Sequence, residues 1–126
     1  MTMQINVKDK SDFIKGLLVL AKKDRSLTTE EKSILKNAGS KYGFASEFID
    51  ESLFHLLQNP HITEEPIKFS NNEVAKNFLL EGLKLAFCDT ENPTSELKWL
   101  KEVAEINHID FNWLEKEINQ NKKANL

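Results

Sequence analysis

Apolar residues recur along this chain at separations of three and four, the spacing that lines one face of a helix. Between Phe13 and Leu20, and again between Phe78 and Leu85, the pattern is unbroken. Alternating Val/Ile-rich runs of the strand type are missing, so the pattern predicts an all-α fold. Ser11 or Asp12 is placed to cap a first helix ending near Lys23. A loop carries Asp24 to Leu27. Thr28 and Glu31 then stand at capping-box spacing and open a second helix, which Gly43 ends. Phe44 and Ile49 bracket the start of a third helix, which stops before Pro60. A fourth helix runs from about Asn72 to near Cys88, and "DTENPTSE" follows as a loop. Pro93 suits the first turn of a fifth helix, which reaches about Asn107. Asp110 caps the last helix, with Ile109 and Leu114 as its hydrophobic staple.

This order repeats itself. Sliding the chain by 65 positions aligns residues 13–53 with 78–118 without a gap. Nine pairs are identical, among them Phe13/Phe78, Leu20/Leu85, Asp24/Asp89, Glu31/Glu96 and Lys36/Lys101. Chance at this composition gives about two or three, so the repeat is taken as real. The expectation is one compact helical domain over residues 1–126, with about six to seven helices. Two three-helix units, 13–53 and 78–118, are joined by a linker at 59–72 and related by a pseudo-two-fold.

Composition narrows the classes further. The 126 residues are 40% hydrophobic and 29% charged, which suits a folded domain rather than a disordered one. The longest apolar run, Leu17 to Ala21, is far short of the ~20 residues a membrane span needs. No secretory signal is expected, because Lys15 interrupts the first apolar segment. Cys88 is the only cysteine. It fits a reducing compartment and a buried small side chain, and the expected location is the cytoplasm. A net charge of −3 gives no reason to expect nucleic-acid binding. The charge is uneven: residues 13–53 carry +1 and residues 78–118 carry −5. Such polarity can steer a basic partner or concentrate cations.

Each copy of the repeat contains Leu-Ala, two residues, Asp, six residues, then Glu: "LAKKDRSLTTEE" and "LAFCDTENPTSE". Given twice in a small helical domain, this motif resembles the TerB-like (tellurite resistance TerB) superfamily, over about residues 11–118. Both copies lack the glycine that usually follows the Asp, having Arg25 and Thr90 instead. The resemblance implies a compact helical domain with paired acidic residues proposed to bind metal. It also implies a place in bacterial stress, tellurite-resistance or phage-defence systems, among protein partners that are often membrane-linked. No enzymatic reaction comes with it.

The acidic set Asp24, Glu31, Asp89 and Glu96 has two readings. Carboxylates are hard ligands, and four of them about a dyad can hold Ca²⁺, Mg²⁺, Mn²⁺ or Zn²⁺. Equally, an Asp closing one helix and a Glu in the next first turn are what capping and the helix dipole favour. EF-hand chemistry is excluded, since the sixth loop residues are Thr29 and Thr94 and the twelfth are Leu35 and Leu100. Glu51 and His55 share a helix face, but nothing of HExxH or CxxC type accompanies them. Lys22, Lys23 and Arg25 read as a solvated face, and Trp99 and Trp113 as core. The sequence holds no nucleophile–base motif, phosphate-cradling loop or dinucleotide fingerprint. The expectation is therefore a non-enzyme that works by binding a protein partner, as a monomer or weak homodimer, without inserting into a membrane. A divalent-cation sensor or buffer is the alternative.

Overall fold

The computed structural model describes residues 6–23, 29–41, 43–44, 47, 49–51, 54, 65–88 and 93–124. Helices span Val7–Lys23, Thr29–Lys41, Asn72–Ala86, Thr94–Ile106 and Phe111–Ala124. Glu47, Ile49, Asp50, Glu51 and Phe54 are helical as well, and no strand occurs among the described residues. The fold is all-α. None of the helices, among the described residues, is long and apolar enough to cross a membrane.

The chain forms two compact units, Met1–Glu65 and Pro66–Leu126. In the first, the Val7–Lys23 and Thr29–Lys41 helices pack together. Phe13, Leu17, Leu35 and Ile49 are buried there. In the second, the Asn72, Thr94 and Phe111 helices each pack on the other two. Phe78, Leu79, Leu100, Val103 and Leu114 fill the space they enclose. Burying side chains of this size removes roughly 1.5–3 kcal/mol of apolar exposure each, which drives both units to close.

Local detail recurs at a separation of 65 residues. The Thr29–Lys41 and Thr94–Ile106 helices begin and end at matched positions. Val7 and Asn72, where the first helix of each unit starts, also match. The cap of that helix is Asn6 in one unit and Asn71 in the other. Asn6 Oδ1 accepts from the Asp9 N–H at 2.8 Å, and Asn71 Oδ1 from the Val74 N–H at 2.9 Å. The first helix is thus capped five to six residues before the expected Ser11 or Asp12. Asn6 satisfies the orphan amides as well as Ser or Asp would. Asp12 instead accepts from the Lys8 ammonium at 2.9 Å.

The ends of the second helices match too. Gly43 has φ 88° and His108 has φ 57°, both left-handed. The Phe44 N–H donates to Gly39 O at 2.7 Å, and the Ile109 N–H to Ala104 O at 2.9 Å. These are Schellman closures, which require a left-handed residue just past the helix end. Glycine adopts that conformation freely, whereas histidine bears a cost of about 1 kcal/mol. We expect His108→Gly to stabilise the protein by about 1 kcal/mol and Gly43→Ala to destabilise it by 1–2 kcal/mol, about what the left-handed strain implies. Urea denaturation of both variants checks the opposite signs.

Helix contacts repeat as well. Lys36 pairs with Asp50 at 3.3 Å, and Lys101 with Glu115 at 3.4 Å. Both pairs are solvent-exposed and contribute only about 0.2–1 kcal/mol each. Their value lies in showing that side chains at matched positions meet in each unit. One packing detail differs: Gly39 stands where the second unit has Ala104. A Cβ at Gly39 would lie 2.8 Å from Ile49 Cδ1, so the glycine leaves room for the isoleucine side chain. Gly39→Ala is expected to cost about 1 kcal/mol. Adding Ile49→Val removes that terminal methyl, so the double variant should lose less than the two single losses combined, measurable as a double-mutant cycle.

Candidate functional site

The four repeated acids are placed unequally. Asp24 and Asp89 lie outside the described residues. Glu31 belongs to the Thr29–Lys41 helix, but its side chain also lies outside them. Glu96 is the third residue of the Thr94–Ile106 helix and retains 8% of its exposure. No hydrogen bond or ion pair to its carboxylate is present among the described residues. A buried carboxylate near a helix N-terminus gains from the amide dipoles, which is the structural role expected of it. It is also a hard oxygen donor of the kind a divalent-cation site uses. Among the described residues, no three His, Cys, Asp or Glu side chains converge as a metal site would need.

Pro93, immediately before this helix, occupies the cap position with φ −78° and ψ 70°. It provides no side-chain acceptor, so the first turn has no side-chain cap. Cys88, expected as a buried small side chain, is half-buried instead. It lies two residues past the end of the Asn72–Ala86 helix. Thr28, His55 and His61 lie outside the described residues, and Glu51 is exposed.

Trp99 is buried as expected, but Trp113 is only half-buried. The Lys76 ammonium sits 5.3 Å from the Trp113 ring centroid. A cation stacked on its outer face lets the indole remain partly in water. Of the charged groups, Lys8 has its amine pKa raised by the hydrogen bond and the charge of Asp12.

A feature that the periodicity did not single out is Asn107, the residue that closes the Thr94–Ile106 helix. It is 4% exposed and all of its side-chain polarity is satisfied. Its amide donates to Ile67 O at 2.7 Å and to Val103 O at 2.8 Å. Its Oδ1 accepts from the Phe69 N–H at 2.8 Å. The segment 65–69 has no regular secondary structure, and Phe69 is buried with its centroid 5.2 Å from that of Phe78. Phe78 in turn meets Trp99 edge-on at 6.0 Å. The last part of the expected linker is therefore a strap seated on the second unit. No sequence signal points to it, because Asn is common at helix ends for local reasons and its burial is not written in the residue type.

No protein-family model, curated protein or solved structure matches the chain.

Proposed function

We propose that this chain is a non-enzymatic binding module of TerB-like type, built from one three-helix unit written twice and related by a pseudo-two-fold. In this reading it is a cytoplasmic accessory protein of a bacterial stress, tellurite-resistance or phage-defence system. It docks a protein partner, which can itself be membrane-associated. The observation that carries the reading is the doubled Leu-Ala-x-x-Asp-x₆-Glu motif, set in units whose helix starts, caps and ion pairs recur 65 residues apart. The sequence offers no catalytic motif beside it, and the −5 charge on residues 78–118 favours a basic partner surface. Tagged protein, purified from its native cell beside an untagged control, is expected to enrich a specific partner whose retention falls with added salt. Recovery of the tagged chain alone would count against the reading.

A second reading is favoured by the burial of Glu96: the repeated acids hold a divalent cation. A cation that binds only the native state raises its stability, by about 2.7 kcal/mol at a hundred times Kd. Thermal melts with Ca²⁺, Mg²⁺, Mn²⁺ and Zn²⁺ should then show an upward shift for at least one ion, lost in Glu96→Gln. Unchanged melts with all four at about millimolar concentration remove this reading.

A further inference from the structure

We propose that the turn joining the Thr94–Ile106 and Phe111–Ala124 helices is a docking corner for a basic protein segment with apolar anchors. Ile106 ends one helix and Phe111 begins the other, and they are 40% and 47% exposed. They are the exposed large apolar side chains among the described residues of the second unit. Apolar groups scattered singly over a surface carry no meaning, but these two flank one turn. That turn is held from below. Ile109 is buried and its N–H donates to Ala104 O at 2.9 Å, while Asn107 is fixed by its side-chain hydrogen bonds. A surface already ordered gives up little entropy when a partner arrives.

The charge around the corner identifies the occupant. Glu102 stands one helical turn before Ile106, Glu105 directly beside it, and Asp110 immediately before Phe111; all three acids are exposed. Glu102 and Glu105 have no ion-pair partner among the described residues. Glu115, a turn after Phe111, holds Lys101 at 3.4 Å, so that cation does not offset the other three acids. A complementary partner brings positive charge to the rim and apolar side chains to the centre, whereas anionic lipid and nucleic acid are repelled. The repeat does not require this corner. At the positions of Glu102, Glu105, Ile106, Asp110 and Phe111 the first unit has Asn37, Ser40, Lys41, Ala45 and Ser46. One helical pattern is thus written once with the acids and the apolar pair, and once without either. The inference rests on the binding-module reading and assigns its site.

The test uses the full chain, isotope-labelled for NMR, and three blocked synthetic peptides. KKLKKFKK carries charge and anchors, QQLQQFQQ keeps the anchors alone, and KKAKKAKK keeps the charge alone. KKLKKFKK is expected to saturate below about millimolar concentration, shifting the amides of Ile106, His108 and Phe111 more than those of the buried Leu79 and Leu83. Each of the other peptides should bind at least about fivefold more weakly, because anchors and rim charge both contribute. Ile106→Lys with Phe111→Ser installs the first unit's residues and should weaken KKLKKFKK at least about tenfold. Glu102→Asn with Glu105→Ser should weaken it about fivefold and flatten its dependence on salt. All four positions are exposed, and the two pairs test the corner separately. No saturation by KKLKKFKK at millimolar concentration, equal binding of KKAKKAKK, or amide shifts away from the turn overturns the proposal. Purification from the native cell separates this from the wider reading. A partner retained equally by the unaltered chain and the Ile106/Phe111 variant removes the corner alone, whereas recovery of the unaltered chain alone counts against the binding-module reading itself.

Discussion

Phe78→Ala is expected to lower the unfolding free energy by about 3–5 kcal/mol, and Phe13→Ala by a similar amount. Both rings have no solvent exposure, and they stand at matched positions in the two units. The Phe78 ring also supports Phe69 and meets Trp99, so its loss leaves a cavity that three elements border. Such a cavity collapses only in part, and the unrecovered dispersion adds to the lost transfer energy. For a domain whose whole stability is about 5–15 kcal/mol, either change removes a large share. Phe111→Ala is the control: that ring is 47% exposed and should cost within about 0.5 kcal/mol. Urea titrations of all three variants test this ordering. Losses below 1 kcal/mol for the two buried rings, against the 3–5 expected, would show that the cores are wrongly placed.

Asn107→Leu is expected to cost about 2–3 kcal/mol although it conserves volume. Leucine leaves the Phe69 amide without its acceptor and the Ile67 carbonyl without its donor. The Val103 carbonyl also loses the amide, but it still accepts from the Asn107 backbone N–H at 3.1 Å. Stranding buried polar groups costs more than a typical hydrogen bond contributes, because desolvation is not repaid. The ceiling is set by the strap, which can lift away and let water satisfy the freed groups. Asn71→Ala provides the scale for an ordinary cap and should cost about 1 kcal/mol. If Asn107→Leu is no worse than Asn71→Ala in urea denaturation, the clamp does not hold the strap.

The helical class and most helix boundaries were legible because they depend on local rules. The 3.6-residue period, Gly43 at a helix end and Asp110 before a helix start all act within a turn or two of themselves. Asp110 behaves as expected, its Oδ1 accepting from the Asn112 N–H at 3.0 Å. Sequence alone puts the start of the first helix too late, because Ser11 and Asp12 are good caps in isolation. Which of several good caps is used depends on how far upstream the helix can still pack. Asn6 and Asn71, a matched pair outside the aligned stretch, held the answer. His108 could be aligned with Gly43 by position, but a left-handed histidine cannot be read from residue type alone. The strap was not legible at all. Its bonds join Phe69 to Asn107 across 38 residues, and neither periodicity nor capping rules reach that far. Of the acidic set, Glu96 shows why chemistry is harder to read than fold. Its burial follows from where the Thr94–Ile106 helix packs, which a motif does not encode.

We propose that one helical unit has been written twice. This is met most directly by a crystal structure of the whole chain, with residues 13–53 overlaid on 78–118. Three helices are expected to match three helices in order and direction. Gly43 and His108 should both be left-handed, and the Lys36–Asp50 and Lys101–Glu115 pairs should coincide. Helix triplets that cannot be overlaid, or a third helix of the first unit running in another direction, would contradict it.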